Sequence, residues 1–365
     1  MTILCSNPLA HYLAHQPEIL EAITKTLRSG RYILGDEVKK FEEEFAKYIG
    51  VQYGIGVASG TDALFLSLCA CNIGPGDEVI TVSHTAVATV AAIDHTGATP
   101  VLVDISLDTY NIDPKKIQHA ITPRTKAIIV VHLYGLPADM DQILAIAKKS
   151  GLYIIEDCAQ AHGARYRGRL VGSFGDFGCF SFYPTKNLGA LGDGGIIVTK
   201  SPELAERVRL FREYGWKKRY ISEISGYNSR LDEIQAAVLR LKLRNLDEDN
   251  SNRRIIARKY LSQIESDSVV VPQIPKDRES VFHLFVIRTR LRDALQQYLF
   301  ERGVQTLIHY PVPVHLQPAY DKKCIIPEPL VNTEKVALEV LSLPIYPELS
   351  LDDVDYVTDA IANFG

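Results

Sequence analysis

Short apolar runs alternate with helix-like stretches between about Gly54 and Lys200, and this rhythm constrains the fold more than any other feature of the 365-residue sequence. The runs are YGIGVA, DEVITV, TPVLVDI, KAIIVVHLYG, LYIIEDCA, FGCFSFY and GGIIVTK. Several are apolar at consecutive positions, which is typical of strands covered on both faces in a mostly parallel sheet. Helices fill the gaps, for example from Met140 to Lys149 and from Asp62 to Cys71. We predict an α/β fold with a mostly parallel, seven-stranded sheet sandwiched by helices.

The pattern changes after Lys200. Charged segments with apolar residues three and four apart, PELAERVRLFREYG and SRLDEIQAAVLRLKLRNLDEDNSNRRIIARKYLSQI, predict a long helical connector. Beyond about Asp267 the strands SVVVP and VFHLFVIRT, the helix DALQQYLFERGV and the Pro-rich stretch YPVPVHLQPAY follow. These features predict a smaller C-terminal α/β domain.

Composition excludes several classes of function. The 40 Lys and Arg against 44 Asp and Glu give a formal charge of −4, so the basic excess of a nucleic-acid-binding protein is missing. The N-terminus lacks the basic start and apolar run of a signal peptide, and no stretch has the length of a membrane span. We therefore expect a cytoplasmic protein without nucleic-acid or membrane partners. Scattered cysteines without a CxxC pair predict reduced thiols and no metal site: Cys5, Cys69, Cys71, Cys158, Cys179 and Cys324.

One lysine follows a predicted buried strand and precedes a glycine-rich turn, in GDFGCFSFYPTKNLGALGDGG. Apolar and aromatic neighbours disfavour the ammonium form of a lysine, and the free amine then attacks a carbonyl to form a Schiff base. Lys186 is therefore a candidate nucleophile. A solvated loop lysine is the alternative, and this segment alone does not separate the two.

An acid and an amide follow the predicted strand in YIIEDCAQAHGA. Asp157 lies at the strand end, where its carboxylate could keep a heterocyclic nitrogen protonated, as the electron sink of pyridoxal phosphate (PLP) requires. Gln160 could then hydrogen-bond a ring substituent. Taken alone, Asp157 is more simply interpreted as the cap of a following helix.

Small residues open the helix predicted after YGIGVA, in the segment Ser59-Gly60-Thr61-Asp62-Ala63-Leu64. Free N–H groups and the positive end of the helix dipole make such a start an anion site, which suits a phosphate. The same residues also form an ordinary capped helix start. The segment is not a Walker P-loop, because the GxxxxGK[ST] spacing is absent.

Ten motifs spread over nearly the whole chain carry a family resemblance: SGRYILGDEVKKFEEEFAKYIGV, SGTDAL, GDEVIT, PVLVDI, TYNIDP, VHLYGLPADMD, EDCAQAHGA, FSFYPTKNLGALGDGG, GYNSRLDEIQAAVL and HYPVPVHLQPAY. As a set they resemble the DegT/DnrJ/EryC1/StrS nucleotide-sugar aminotransferases, which have the aspartate aminotransferase fold (PLP-transferase fold type I). The resemblance implies a large PLP-binding domain with an N-terminal arm over residues 1–240. A helical connector and a small C-terminal domain would occupy residues 241–365.

The resemblance also implies roles for the cofactor residues. Lys186 would form the Schiff base with pyridoxal 5'-phosphate, Asp157 would pair with the pyridine nitrogen, and Gln160 would lie near the ring hydroxyl. The phosphate would be held by Gly60, Thr61 and Ser181.

A homodimer is implied as well, because Asn228 in GYNSR would reach the phosphate of the neighbouring subunit's cofactor. The sugar-nucleotide cleft would be lined by Tyr32 or Ile33, Tyr183, Arg230, His309, Tyr310 and His315. Individual roles in this cleft differ among family members.

The chain departs from the family pattern at one place. Many relatives carry an aromatic residue after the second strand that stacks on the cofactor ring, whereas this chain has Ala86 in SHTAVAT. His84 is the nearby candidate for covering the ring, although a lone histidine is more often a hydrogen-bonded structural residue. The same alternative applies to His162 in AQAHGA.

The implied reaction is a ping-pong transamination. L-glutamate gives its amino group to the cofactor, pyridoxamine phosphate remains, and a nucleotide-linked keto sugar then takes up the amino group. Lys186 would serve as nucleophile and proton shuttle. The KNLGALGDGG form resembles members that act on 3-keto sugars, whereas 4-keto enzymes more often show a K-x-[ITV]-T-x-GEGG turn. We expect a dTDP-linked 3-keto-6-deoxyhexose as substrate, with a UDP-linked 3-keto sugar or C4 amination as alternatives.

Other functions compete with this hypothesis. A PLP-dependent sugar dehydratase would replace the Schiff-base lysine, commonly by histidine, and Lys186 argues against it. A desulfurase or decarboxylase of the same fold would lack the GYNSR and HYPxPxH segments. A non-catalytic regulator would not need the lysine, the aspartate and the phosphate cradle together.

Overall fold

A large central sheet organises the protein, whose residues 2–364 are described by a computed structural model. The strands of this part are, in chain order, β1 (Tyr53–Val57), β2 (Glu78–Val82), β3 (Thr99–Val103), β4 (Thr125–Val131), β5 (Tyr153–Asp157), β6 (Arg165–Tyr166), β7 (Arg169–Leu170), β8 (Phe177–Ser181), β9 (Gly195–Thr199), β10 (Trp216–Lys218), β11 (Ile221–Ser222), β12 (Arg278–Glu279), β13 (Phe285–Arg288) and β14 (Val340–Leu343). The central sheet has seven of them, in the order β1-β9-β8-β5-β4-β2-β3.

Helices lie between these strands and at both ends of the described chain. They are α1 (Pro8–Ala14), α2 (Gln16–Ser29), α3 (Asp36–Ile49), α4 (Gly60–Ala70), α5 (Val87–Thr96), α6 (Pro114–Ala120), α7 (Met140–Ser150), α8 (Pro202–Arg212), α9 (Glu233–Leu243), α10 (Leu246–Gln263), α11 (Arg292–Glu301), α12 (Val331–Glu339) and α13 (Leu351–Ala362). Single 3₁₀ turns occur at Leu133–Gly135 and Val314–Leu316. Within residues 2–364, no helix is long and apolar enough to cross a membrane.

The seven strands of the central sheet coincide with the seven apolar runs, so the predicted fold class is confirmed. The reason is visible in β4, where consecutive residues face opposite layers. Ile128 and Val130 belong to one buried cluster, whereas Ala127 and Ile129 belong to another on the other face. Every position is therefore covered, which requires the continuous apolar run.

The direction of the strands gathers several loops at one edge. The strands β2, β4, β5 and β8 run parallel, whereas β9 runs antiparallel to β8 and β1. The segments that follow Val82, Val131, Asp157 and Ser181 therefore leave the sheet at the same side. This edge is where ligands bind in open α/β sheets.

The C-terminal part differs from the prediction in two places. SVVVP (268–272) is not a strand, because only Val270 pairs, in a single bridge to Arg288. The strand that β13 does pair with is β14, from the segment before Pro344, which carried no strand prediction. The predicted helical connector is two helices, since α9 and α10 are separated at Arg244 and Asn245.

Residues from the N-terminal end also belong to the C-terminal core. Ile3 packs with residues of α10, α11, α13 and β14, and it forms a parallel bridge with Val304. The domain division at residue 240 stays a prediction, and in the described chain the first residues pack with the last hundred.

A buried glutamate caps α3 from a distant helix. Glu233, in the first turn of α9, accepts hydrogen bonds from the N–H groups of Gly35 (2.7 Å), Glu37 (3.0 Å) and Val38 (3.0 Å). A side chain at position 35 would not fit, because its Cβ would lie 2.8 Å from Glu233 Oε2. Glu233 thus accepts hydrogen bonds from N–H groups at the start of α3 that have no partner within the helix. Its negative charge also interacts favourably with the positive end of the α3 dipole.

We expect the substitution Glu233→Ala to lower the free energy of unfolding by about 3 kcal/mol, because three buried N–H groups lose a charged acceptor. Urea unfolding at fixed protein concentration measures this. The exposed Glu21 on α2 provides the control, and Glu21→Ala should leave the midpoint nearly unchanged. An unchanged midpoint for Glu233→Ala would contradict the capping role.

Candidate active site

Lys186 lies in the loop that joins the antiparallel strands β8 and β9. The loop is closed by hydrogen bonds from Phe182 N to Gly194 O and from Ala190 N to Phe182 O, both 2.8 Å. Lys186 is half-buried, and burial lowers the pKa of its amine to about 8 while the charge of Asp157 opposes this. Roughly a tenth of the amine is therefore unprotonated at pH 7, far more than for an ordinary lysine, and this fraction is the nucleophile.

The carboxylate of Asp157 is buried at the end of β5. Thr89 Oγ1 donates to Oδ2 at 2.8 Å, and Ala159 N donates to Oδ1 at 3.1 Å. Burial raises the pKa of Asp157, and these two hydrogen bonds and the charge of Lys186 oppose the rise. Residues 158–164 form turns, so Asp157 does not cap a helix. The carboxylate is instead held toward the site.

Gln160 is oriented by two tyrosines. Its Oε1 accepts a hydrogen bond from Tyr134 N at 2.7 Å, and its Nε2 donates to Tyr310 OH at 3.0 Å. Tyr134 also donates from its hydroxyl to the carbonyl oxygen of His309. Gln160 therefore connects the end of β4 with the HYP segment of the C-terminal part.

The segment at the start of α4 meets the end of β8. Ser59 caps the helix by accepting from Asp62 N at 3.0 Å, so the ordinary capped start is present. The N–H groups of Gly60 and Thr61 precede the helix's own hydrogen bonds and remain free for an anion. A Cβ at position 60 would lie 2.6 Å from Ser181 Cβ, so glycine is needed where these segments meet.

These groups fit PLP in their chemistry. An amine with a lowered pKa suits the aldehyde, a buried carboxylate suits the ring nitrogen, and an amide suits a ring substituent. Gly60 lets the start of α4 lie directly against Ser181, which brings free N–H groups and a hydroxyl together as a phosphate requires. The three segments singled out in the sequence therefore lie at the same edge of the sheet.

His84 lies in a buried aromatic cluster. Its Nε2 is 2.7 Å from Tyr134 OH, and because that hydroxyl gives its proton to His309 O, Nε2 carries the hydrogen. Burial lowers the pKa of His84 to about 4, so the ring is neutral. Ala86 is the N-cap residue of α5. His84 has the hydrogen-bonded position of a structural histidine, and its covering of the cofactor ring stays a prediction. His162 packs on Phe180, with ring centroids 5.3 Å apart.

Some of the residues expected to line the sugar cleft are exposed to solvent, and others are hydrogen-bonded within the protein. Tyr183 and Tyr32 are 52% and 51% exposed. Ile33 forms a bridge with Asp232, which places residues 32–33 beside the GYNSR segment. Within that segment, Asn228 is exposed and Arg230 is half-buried, with its Nη1 3.9 Å from Glu213 Oε1.

The two histidines of the HYPVPVH segment are held differently. His309 is half-buried, its Nδ1 lies 2.9 Å from Ser342 Oγ, and burial lowers its pKa to about 4. His315 is buried, with its Nδ1 2.7 Å from Ser83 Oγ and its Nε2 3.3 Å from Glu334 Oε1. Both ring nitrogens of His315 are thus engaged within the protein, and the ring ties the segment to the end of β2.

Sequence reasoning did not single out two residues that the structure places at the site. Thr89 bonds Asp157, and Tyr134 bonds Gln160 and His309. Thr89 lies in the first turn of α5 and Thr85 precedes that helix, so no spacing on a helix face marks the pair. Tyr134 had no signal beyond its position after an apolar run.

Known proteins are similar to this chain over nearly its whole length. The chain is 53% identical, over 97% of its length and 97% of the relative, to a dTDP-3-amino-3,6-dideoxy-alpha-D-galactopyranose transaminase of Aneurinibacillus thermoaerophilus. Its fold matches the crystal structure of S. venezuelae DesV in complex with a ketimine intermediate, with a TM-score of 0.96 and 49% identity, covering 99% of this chain and 97% of that one.

A second solved structure is more distant. NtdA of Bacillus subtilis, with bound cofactor PMP, matches with a TM-score of 0.89 and 35% identity, covering 96% of this chain and 81% of that one. The model of the DegT/DnrJ/EryC1/StrS aminotransferase family matches residues 14–362. With nearly the whole length matched, the chain belongs to the DegT/DnrJ/EryC1/StrS aminotransferase family.

Proposed function

We propose that the protein is a PLP-dependent aminotransferase that moves the amino group of L-glutamate to C3 of a dTDP-linked 3-keto-6-deoxyhexose, giving a dTDP-3-amino-3,6-dideoxyhexose. The observation that carries the proposal is the convergence of Lys186, Asp157, Gln160 and the Gly60–Ser181 cradle at one edge of the sheet. The choice of sugar is supported by the KNLGALGDGG turn and by the likeness to a dTDP-3-amino sugar transaminase.

The cofactor residues have distinct tasks in this proposal. When bound, PLP supplies an aldehyde that takes up an amine and a protonated ring that accepts the electrons left when a proton departs from carbon. Lys186 Nζ, whose lowered pKa makes the free amine accessible near neutral pH, removes that proton and later returns one to the sugar carbon. Asp157 would hold the proton on the ring nitrogen. Gln160 Nε2, which donates one hydrogen to Tyr310 OH, would offer its other hydrogen to a ring substituent. Gly60, Thr61 and Ser181 bind the phosphate.

The residues on the substrate side of the site differ in solvent exposure and in whether other residues hydrogen-bond them. Tyr32, Tyr183 and Arg230 are open to solvent at least in part and suit a nucleotide and its phosphates. His309 and Tyr310 are held by Tyr134 and Gln160, so they suit the sugar, whose reacting carbon must be placed accurately. His315 is hydrogen-bonded to Ser83 and holds the HYPVPVH segment in place without contacting the sugar itself.

A homodimer is part of the proposal. The stretch from Tyr214 to Tyr227 exposes several large side chains, which is typical of an interaction surface: Tyr220, Ile221, Ile224 and Tyr227. Asn228 follows this stretch and is exposed, so its side chain is accessible for contact with the phosphate of the cofactor in the partner subunit. We also propose a cytoplasmic location, which the six cysteines support, since all are free thiols.

The decisive experiment is the visible absorption spectrum of the protein loaded with PLP. We expect L-glutamate alone to convert the cofactor band to that of pyridoxamine phosphate, and the dTDP-linked 3-keto sugar to restore it. UDP-linked 3-keto and dTDP-linked 4-keto sugars, added in parallel, test the specificity. A protein that binds no PLP, or whose band glutamate leaves unchanged, would contradict the proposal.

The matched control is Lys186→Ala. This variant retains the cradle and Asp157, so it should still bind PLP but show no turnover, with activity lowered by a factor of about 10⁴ or more because both nucleophile and proton carrier are missing. Retained turnover would exclude the assigned role of Lys186.

The lowered pKa of Lys186 gives a pH-dependent prediction. Because only the free amine reacts with an aldehyde, the rate at which apoprotein takes up PLP should rise with pH and level off above about 8. Neither His309, whose pKa burial lowers to about 4, nor Tyr310, whose pKa burial raises to about 12, titrates between pH 6 and 10. Stopped-flow absorbance measures the rate, with acetyl-lysine as the reference for titration of PLP itself. A rate that still climbs up to about pH 10.5 would contradict the buried amine.

Mixed dimers test the role of Asn228. The variant Asn228→Asp would place a negative charge near the partner's phosphate, and we expect it to be nearly inactive alone, as is Lys186→Ala. When both variants are co-expressed, one site of each mixed dimer has an intact lysine and an intact partner asparagine. Activity should therefore reappear in the purified mixed dimer. If Asn228 acts within its own subunit, both sites stay defective and no activity returns.

A further inference from the structure

Two threonines form an oriented hydrogen-bond chain that ends on Asp157. Thr89 Oγ1 lies 2.8 Å from Asp157 Oδ2 and 2.9 Å from Thr85 Oγ1. An ionised carboxylate only accepts hydrogen bonds, so Thr89 gives its proton to Asp157 and receives one from Thr85. The direction of the whole chain is therefore fixed by the carboxylate.

This hydrogen-bond chain is shielded from water. Thr85 and Thr89 are 3% and 0% exposed, and Thr89 lies in the first turn of α5. Ala159 N donates to the other carboxylate oxygen. Each oxygen of Asp157 thus has one internal donor, and the remaining lone pairs are free to face a ligand.

Besides Thr89, the N–H group of Ala159 and the charges of Lys186 and His132 favour the ionised form of Asp157. The ring of His132 is engaged on both nitrogens, by Ala138 N at 3.0 Å and by Glu156 Oε2 at 3.1 Å, so it gives the carboxylate of Asp157 no hydrogen bond. The backbone N–H of His132 donates to the carbonyl oxygen of Asp157 at 3.1 Å. The remaining titratable neighbours are Lys186, Tyr310, Cys158 and Cys179, and burial lowers the pKa of the lysine to about 8 and raises the pKa of each of the others. Burial raises the pKa of Asp157 as well, and the bond from Thr89 is the largest of the effects that oppose this.

We propose that Thr89 is a positioning residue that keeps the shared proton on the pyridine nitrogen of the cofactor and off the carboxylate of Asp157. The inference rests on the function proposed above. A proton between a ring nitrogen and a carboxylate oxygen belongs to the more basic partner. A hydrogen bond to the charged carboxylate lowers its basicity, so the N–H bond stays intact and the ring keeps its positive charge. Without that charge, the ring is a weaker acceptor for the electrons released at carbon.

The test replaces the hydroxyl by a methyl group of nearly the same size. The variant Thr89→Val and the wild-type apoprotein are each loaded with PLP labelled with ¹⁵N in the ring, and the ¹⁵N chemical shift is measured. We expect the wild type to show a protonated nitrogen and the variant to shift toward the unprotonated value. The rate of the L-glutamate half-reaction should fall about 10- to 100-fold, the range expected for losing a hydrogen bond to a charged group.

Two further variants separate this role from a general structural one. Thr89→Ser restores the donor and should restore both the ¹⁵N shift and the rate. Thr333→Val is the matched control, because Thr333 Oγ1 donates to the buried Asp104 Oδ1 at the same 2.8 Å, away from the site. It should leave both readouts at their wild-type values.

The outcomes distinguish failure of this inference from failure of the proposed function. If the wild type binds no PLP, the proposed function fails. If Thr89→Val keeps the wild-type shift, the inference is overturned while the aminotransferase proposal stands. If the loaded wild type has an unprotonated ring nitrogen but still reacts with L-glutamate, the inference and the role assigned to Asp157 are both overturned, whereas transamination itself stands. Circular dichroism checks the fold of each variant, and Thr89→Ala replaces Thr89→Val if the valine variant does not fold.

Discussion

The buried carboxylate of Asp157 is the constraint on which the site depends. A charge removed from water is expensive unless donors or an opposite charge compensate it. Here the compensation comes from three elements: Thr89 from α5, Ala159 from the turn after β5, and Lys186 from the loop after β8. Burial shifts Asp157 and Lys186 toward their neutral forms at the same time. A ligand that carries a positive ring nitrogen would compensate the charge of Asp157. The same positive charge would favour the neutral amine of Lys186 further.

Much of the fold could be predicted, because both faces of the central sheet are covered and its strands must be continuously apolar. The same argument fails for short strands at the surface. The hairpin β10–β11 and the strand β12 are two or three residues long and carry charged side chains, so no periodicity marks them. SVVVP has a strand-like composition, but only Val270 finds a partner, and composition cannot tell how far pairing extends.

The candidate site was predictable where chemistry is tied to local sequence. Lys186, Asp157 and Gly60 follow or precede strands, and a parallel sheet brings such positions together. Contacts between distant segments were not predictable. Nothing in the sequence tells that Thr89 faces Asp157, that Tyr134 reaches the carbonyl of His309, or that both ring nitrogens of His315 are occupied. These depend on how α5 and the C-terminal segment pack on the sheet edge.

The reversed direction of β9 has a consequence for the reactive lysine. If the strand after β8 paired with it in parallel, the chain would need a long crossover connection, usually through a helix, before it re-entered the sheet. Closing such a long connection costs more conformational entropy than closing a short loop. Because β9 runs antiparallel beside β8, the loop of residues 182–194 begins and ends at the same edge of the sheet. Hydrogen bonds from Phe182 N to Gly194 O and from Ala190 N to Phe182 O close its base. The base of the loop that carries Lys186 is therefore set by two adjacent strands, and α9 and α10 hold its middle through Gln235, Lys242 and Asn250.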